Sequence, residues 1–161
     1  MLKFAIFVSA VLLTPAYAGL HKVPDEEPLI TIDIPDEWQT KEVGESIQAT
    51  VPGDSFHFMV VPPEGTKVAE TMGEAMRYIR NSSGIMVKAD SIKNETGKLN
   101  DMEVRHVFWE GKDKNGSVNI QFTIVFLTAR KAVLLASWGP PEAEQKHKEA
   151  LKKIFQSIKK A

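Results

Sequence analysis

The sequence predicts an α+β domain in which helices flank an antiparallel β-sheet. Several short segments, separated by turn residues, alternate apolar and polar side chains with the period of two that half-buried strands require. Two longer segments, after residues 62–65 and after residues 139–141, carry apolar residues with the 3.6-residue period of a helix that has one buried side. Because the strands come in runs rather than alternating with helices, we expect neighbouring strands to pair antiparallel and the helices to cover the sheet.

Composition restricts the function classes that are open to the chain. Its 161 residues, 43% hydrophobic and 25% charged, are typical of one globular domain. The net charge of -1 provides no overall positive field, so nucleic acid is not an expected partner. The absence of cysteine excludes disulfides, thiol catalysis and cysteine-bound zinc within the chain.

Residues 1–18 have the features of a secretory signal. Lys3 precedes an apolar run over residues 4–13, and the sequence AYA at residues 16–18 forms an A-x-A cleavage site before Gly19. An uncleaved anchor is the alternative, but about ten apolar residues are too few for a bilayer that needs about twenty. We therefore expect a mature chain without a membrane span, and export without cysteine favours a periplasmic or secreted bacterial protein.

The remaining chain divides into a leader and one domain. Residues 19–28 contain two prolines and three consecutive acidic residues, and we expect them to form an extended, flexible and poorly packed leader. Residues 29–161 are expected to form a single α+β domain.

Strands and a helix open this domain. Residues 29–34 predict a strand that Pro35 ends. Residues 46–51 and 55–61 alternate on either side of the turn sequence Pro-Gly-Asp, which predicts a hairpin. The helix that follows has Thr66 as its candidate cap, residues 81–84 as its end, and one apolar stripe: Val68, Met72, Ala75, Met76 and Ile79.

Further strands precede the C-terminal helix. They are predicted over residues 85–87, 91–98, 102–110, 117–128 and 132–138. The clearest covers residues 117–128, because every second residue on one side is apolar: Val118, Ile120, Phe122, Ile124 and Phe126. Its other side carries Asn119, Gln121 and Thr123 before it becomes apolar, which indicates that its far end is buried on both sides.

Two short segments resemble a known fold group. Residues 32–38 (IDIPDEW) form a strand that ends in Pro-x-x-Trp, and residues 151–159 (LKKIFQSIK) end the last helix. With the element order over residues 29–160, they are similar to the opening and the ending of the PsbP-like group, which includes the photosystem extrinsic subunit PsbP, a Ran-binding nuclear import factor and secreted bacterial proteins. The resemblance implies a PsbP-like sandwich and protein- or ligand-binding roles without catalysis, and it supplies no catalytic residues.

Catalytic and metal-binding motifs are absent from the sequence. It contains no nucleophile elbow, zinc-protease, P-loop or dinucleotide-binding pattern, and no two of its four histidines lie three or four residues apart. Ser55 and His57 share one predicted strand face but lack an assigned orienting acid. We therefore predict no enzyme, no cofactor and no metal. Two interpretations of the strand histidines stay open. His57, His106 and a carboxylate such as Glu103 could form a site across strands, or each histidine could be hydrogen-bonded separately on a face of the sheet.

Four residues are the candidates for binding a partner or ligand: Trp38, Met72, Met76 and Trp138. Trp38 follows a strand-ending proline in a loop, so we expect it to be partly exposed and to anchor an interface. The two methionines share a helical stripe, which is typical of core filling and of adaptable binding surfaces. Together with Phe122 and Trp138 they would suit a small ligand held between sheet and helices.

Three function classes follow from these observations. The preferred class is an exported, non-enzymatic binding protein of the bacterial periplasm, such as an inhibitor or immunity-type partner of another secreted protein. The second is a carrier of a small apolar or amphipathic ligand, and the third is a hydrolase with a non-obvious site. The expected partner is thus a secreted or periplasmic protein, or a small apolar ligand.

Overall fold

The computed structural model describes residues 19–53, 56–63 and 67–161. Its strands are β1 (Gly19–Val23), β2 (Ile30–Ile34), β3 (Gln39–Val43), β4 (Ser46–Thr50), β5 (His57–Val61), β6 (Met86–Val87), β7 (Lys93–Leu99), β8 (Met102–Asp113), β9 (Gly116–Phe126), β10 (Ala132–Gly139) and β11 (Lys159–Lys160). Its helices are α1 (Val68–Ser83) and α2 (Pro141–Ser157). The signal predicted for residues 1–18, together with Ser55 and Thr66, lies outside the described residues.

Two antiparallel sheets are formed. The main sheet has eight strands in the order β3-β4-β5-β10-β9-β8-β6, with β7 paired to the other half of β8. The small sheet has the order β1-β2-β11, so β2 is its central strand. The predicted α+β architecture, an antiparallel sheet flanked by helices, is confirmed.

Both faces of the main sheet carry a hydrophobic core. On one face α1 packs over a cluster that includes Ile79, Phe122 and Trp138. On the other face α2 and the small sheet pack over a cluster that includes Ile32 and Ile154. Because β10 lies between the two clusters, all eight of its residues are buried and its sequence shows no alternation.

Strand β9 lies where its alternation predicted it. Four of the five apolar residues predicted on the α1 side are at most 2% exposed, namely Val118, Ile120, Phe122 and Ile124, whereas Phe126 at the end of the strand is partly buried. On the other side Asn119 and Gln121 are partly exposed, whereas Val125 is fully buried. The predicted change of this side from polar to apolar is therefore confirmed.

The ends of both helices follow their sequence signals. Gly84 ends α1 with a φ of +64°, the left-handed conformation that glycine adopts without strain. Pro141 begins α2, at a position where a backbone N–H would have no helical acceptor. Within the described part of the chain, neither helix is long and apolar enough to cross a membrane.

The predicted poorly packed leader is wrong for its first five residues. β1 pairs with β2 along its whole length, from Gly19 opposite Ile34 to Val23 opposite Ile30. Val23 is fully buried, and its carbonyl accepts a hydrogen bond from the Leu29 N–H at 2.9 Å. The sequence GLHKV did not predict this strand, because its two large apolar residues, Leu20 and Val23, are three positions apart and so lie on opposite sides of a strand. In the structure Val23 is buried and Leu20 is 65% exposed.

We expect Phe122→Ala to lower the free energy of unfolding by about 3–5 kcal/mol, because the fully buried ring would leave a cavity between β9 and α1. Urea denaturation of both proteins measures the difference. Met86→Ala is the control, since Met86 is 72% exposed and its truncation should change stability little. An unchanged urea midpoint for Phe122→Ala would contradict the placement of β9.

Candidate functional site

An open cleft lies on the sheet face that α2 covers only in part. α2 packs mainly on β2, β9 and β10, so the area of this face over β7 and β8 stays uncovered. An inner cleft of about 240 Å³ lies over the sheet, and an outer cleft of about 630 Å³ runs along the flank of α2. The two share Asn119, Gln121 and Glu144, so they form one continuous surface, which we call the α2 cleft.

Strand register brings polar residues together on the floor of the inner cleft. Gln121 is paired with Phe108 on β8 and with Ser137 on β10, and Asn119 is paired with Glu110. Paired residues in a sheet project from the same face, so these five side chains lie on the α2 side. The sequence predicted the alternating polar residues of β9, but it did not predict which residues of β8 and β10 would lie beside them.

Hydrogen bonds orient the two carboxamides of this floor. Asn119 Nδ2 donates to Glu144 Oε2 at 2.7 Å, and Gln121 Nε2 donates to Thr123 Oγ1 at 3.2 Å. Thr123 Oγ1 also lies 2.9 Å from Nδ1 of His106. Both amide nitrogens are thus engaged, whereas neither amide oxygen accepts a hydrogen bond from another described residue.

The α2 cleft carries opposite charges at its two ends. The inner cleft is lined by three carboxylates and one amine: Glu95, Glu110, Glu144 and Lys93. The outer cleft is lined by Lys148 and Lys152. No salt bridge between described residues involves any of these side chains, so no ion pair neutralises the charge at either end.

The prediction that Trp38 is partly exposed is wrong, because the side chain is 4% exposed. Its backbone N–H donates to the Pro35 carbonyl at 2.9 Å, which closes a turn and directs the indole into the core. The ring makes edge contacts with Phe56 and His147, at centroid distances of 6.3 and 6.0 Å. Trp38 therefore joins the turn after β2 to α2.

Trp138 is also a core residue. It is 2% exposed, its ring stacks on His57 at a centroid distance of 5.0 Å, and its Nε1 donates to Ser83 Oγ at 3.1 Å. These contacts join β10 to β5 and to the end of α1.

Met72 and Met76 border a second groove, on the opposite face of the main sheet. This α1 groove has a volume of about 460 Å³ and is also lined by Val87, Trp109 and Phe122. Three of the four residues predicted to surround a carried ligand thus line this groove, and Trp138 does not.

His57 and His106 do not form a joint site. His57 lies on β5 against Trp138 on the α1 side, whereas His106 lies on β8 on the α2 side, and β9 and β10 separate their strands. Each ring has a threonine partner, since His57 Nδ1 lies 3.0 Å from Thr50 Oγ1. No group of three side chains that would hold a metal ion is found in the described ranges.

Burial lowers the pKa of His57, and the charge of Lys41 lowers it further. The neutral ring belongs to a network in which the Tyr78 hydroxyl of α1 donates to Gln48 Oε1 at 2.6 Å and Gln48 Nε2 lies 3.5 Å from His57 Nδ1. Burial also lowers the pKa of His106, against the opposing effect of Glu95. Both imidazoles are therefore suited to structural hydrogen bonding in the neutral form.

The main sheet, its two flanking helices and the small sheet make up the PsbP-like fold, as the two sequence segments predicted. The solution structure of cyanobacterial PsbP (CyanoP) from Synechocystis sp. PCC 6803 is similar over 96% of this chain and 98% of its own, with a TM-score of 0.57 and 7% sequence identity. LpqN of Mycobacterium tuberculosis, which is involved in cell envelope biogenesis, is similar over 87% of this chain and 89% of its own, with a TM-score of 0.51 and 13% identity. These likenesses show the fold alone. No protein-family model and no curated protein sequence matches the chain.

We expect Trp38→Ala to lower the free energy of unfolding by about 3–5 kcal/mol, because it removes a buried indole that holds the turn after β2 against α2. Thermal and urea denaturation measure the loss. Glu37→Ala is a matched control, since the neighbouring Glu37 is exposed in the same turn. A Trp38→Ala protein as stable as the parent would contradict the core position of Trp38.

The lowered pKa of His57 predicts a loss of stability in acid. Its pKa in the folded state lies below the ordinary value of 6.5, so the folded state binds a proton less readily than the unfolded state. The contribution of the neutral His57 to the free energy of unfolding is therefore fully present above pH 6.5. It is lost as the pH falls from 6.5 through the folded-state pKa. We expect His57→Gln to remove part of this acid-induced loss, and His57→Gln with His106→Gln to remove more, as measured by urea unfolding on both sides of pH 6.5. An acid-induced loss of equal size in parent and variants would refute the assignment.

Proposed function

We propose that the protein is an exported binding protein without catalytic activity, which holds a segment of another secreted or periplasmic protein in the α2 cleft. The observation that carries this proposal is the floor of the cleft, where the Asn119 and Gln121 oxygens are acceptors without a partner among the described residues. Peptide N–H groups of an extended segment would satisfy these oxygens. An inhibitor or an immunity-type protein would engage its target in this manner.

The outer cleft supports a protein partner. Its wall combines the apolar side chains of Leu99, Leu151 and Phe155 with the amines of Lys148 and Lys152. An apolar centre with a charged rim is typical of protein–protein interfaces.

The chemistry of the inner cleft favours binding over hydrolysis. A serine nucleophile needs a base within hydrogen-bond reach. Ser137 lines the inner cleft, but no hydrogen bond joins its hydroxyl to another residue in the described part of the chain. The ring of His106, on the same sheet face, is engaged by Thr123.

A crosslinking experiment tests the position of the partner. A photoreactive phenylalanine analogue placed at Gln121, on the cleft floor, should crosslink a second protein when the chain is expressed in its own periplasm or exported fraction. The same analogue at Arg105 is the matched control, since Arg105 is exposed on the opposite side of neighbouring strand β8. Equal adducts at both positions, or adducts at Arg105 alone, would refute the cleft as the binding site.

Export is supported by the features of residues 1–18: a positive start, a short apolar run and an A-x-A site before Gly19. The intact mass of the exported, soluble protein should correspond to a chain that begins at Gly19. A membrane-bound product that retains residues 1–18 would refute this part of the proposal.

The α1 groove favours one second candidate, a carrier of a small apolar ligand. Its lining by Met72, Met76, Val87, Trp109 and Phe122 is mostly apolar, and its volume of about 460 Å³ lies within the range of about 300–1,000 Å³ that small-molecule sites occupy. Native mass spectrometry of the protein purified from its source should then show a bound small molecule that Met76→Lys abolishes. Protein of unliganded mass in both cases would refute the carrier function.

A further inference from the structure

We infer that the inner cleft recognises an arginine side chain of the partner. This inference rests on the proposed function and adds the chemistry of the group that the cleft receives. It follows from the charge of the inner cleft, from its unsatisfied acceptors, and from its size.

Negative charge is concentrated around the inner cleft. The carboxylates of Glu95, Glu110 and Glu144 line it, and no salt bridge between described residues neutralises them. Lys93 is the one cation among the lining side chains, so the lining has an excess of negative charge. Burial lowers the pKa of His106, which reduces the positive charge that this ring carries near neutral pH. A cationic group is therefore the complementary occupant.

A largely buried serine provides an observation that is independent of this charge. Ser137 is 6% exposed and lines the inner cleft, yet its hydroxyl has no hydrogen-bond partner among the described residues. Because the serine is otherwise enclosed, its free hydroxyl can find a hydrogen-bond partner only in a molecule that occupies the cleft. The neighbouring oxygens of Asn119 and Gln121 are likewise without a donor, so the ligand should present several N–H groups.

The size and the aromatic floor of the inner cleft identify the cation. Its volume of about 240 Å³ is below the roughly 300 Å³ at which small-molecule sites begin, and it suits one long side chain. Phe108 is paired with Gln121 on this floor, and its ring is held by stacking on His106 at a centroid distance of 6.1 Å. A guanidinium stacks on such a ring and offers five donors in one plane, whereas an ammonium offers three donors at one point. Dispersed acceptors beside an aromatic face therefore favour arginine over lysine.

Peptide titrations test this assignment. We would titrate ¹⁵N-labelled protein, purified from the exported fraction, with acetylated and amidated Gly-Ala-Xaa-Ala-Gly peptides in which Xaa is arginine, lysine, citrulline or glutamate. The arginine peptide should shift the amide signals of Gln121, Ser137 and Glu144 in a saturable manner, and the lysine peptide should do so more weakly. Citrulline has nearly the shape of arginine without its charge, so binding should weaken by at least about tenfold. Equal shifts by the arginine and citrulline peptides, or no saturable shift by the arginine peptide, would overturn the inference.

Matched variants locate the charge that is recognised. Glu110→Gln with Glu144→Gln should weaken binding of the arginine peptide by about tenfold or more, whereas Glu37→Gln with Glu42→Gln removes two exposed carboxylates elsewhere and should not change it. Ser137→Ala should weaken binding by a few-fold while the fold is retained, because it removes a hydroxyl that has no internal partner. If the partner crosslinks at Gln121 and the Glu110/Glu144 variant still binds it with parental affinity, the proposed function stands and the arginine assignment fails.

Discussion

Strand β10 is buried along its whole length, and this burial requires a cover on each face of the main sheet. On one face α1 provides the cover, and on the other face α2 does so together with the small sheet. A helix is about 10 Å wide, whereas the five strands from β5 to β7 span about 19 Å at a spacing of about 4.8 Å. One helix therefore cannot cover this face from edge to edge, and the α2 cleft is the area that is left over β7 and β8.

The two faces of the sheet use similar polar residues in different ways. On the α1 side, His57, Thr50 and Gln48 form a network that Tyr78 closes from the covering helix. On the α2 side, His106, Thr123 and Gln121 form a comparable network, but α2 packs mainly on β2, β9 and β10, and no hydrogen bond between described residues joins a side chain of α2 to these three residues. The closed network stabilises the packing of α1, whereas the open one leaves acceptors that an outside molecule can satisfy. The two networks contain the same types of residue. They differ in that a helix side chain completes the network on the α1 side, whereas the network on the α2 side borders the candidate site.

Local patterns predicted the parts of the structure that depend on neighbours in sequence. The alternation of β9 and the glycine and proline signals at the helix ends are of this kind. The two segments that resembled the PsbP-like group also meet in space, since the Asp33 N–H donates to Ser157 Oγ at 2.9 Å and β11 pairs with β2. The two segments thus form a contact between the beginning and the end of the domain.

Features set by distant contacts were not predictable in the same way. β1 is ordered by its partner β2 and has no apolar side of its own. Trp38 follows a proline in a loop, which predicted exposure, but the turn closed on the Pro35 carbonyl reverses the chain and buries the ring. The floor of the α2 cleft was visible as the polar side of β9, whereas its walls depend on where α2 crosses the sheet. Each of these features depends on how strands and helices pack against one another. The periodic spacing of apolar residues within one segment does not show which other segment it will contact.

The central position of β2 in the small sheet has a consequence for the order of folding. β2 takes β1 as one neighbour and residues 159–160 as the other, so the small sheet joins segments that are more than a hundred residues apart. Closing so long a loop costs chain entropy before the new contacts offset it, which makes such a sheet slow to complete. Until residues 159–160 arrive, β2 has one open edge, and the α2 side of the core lacks its final cover. The α2 side of the core is therefore completed only when the last strand of the domain pairs with its second.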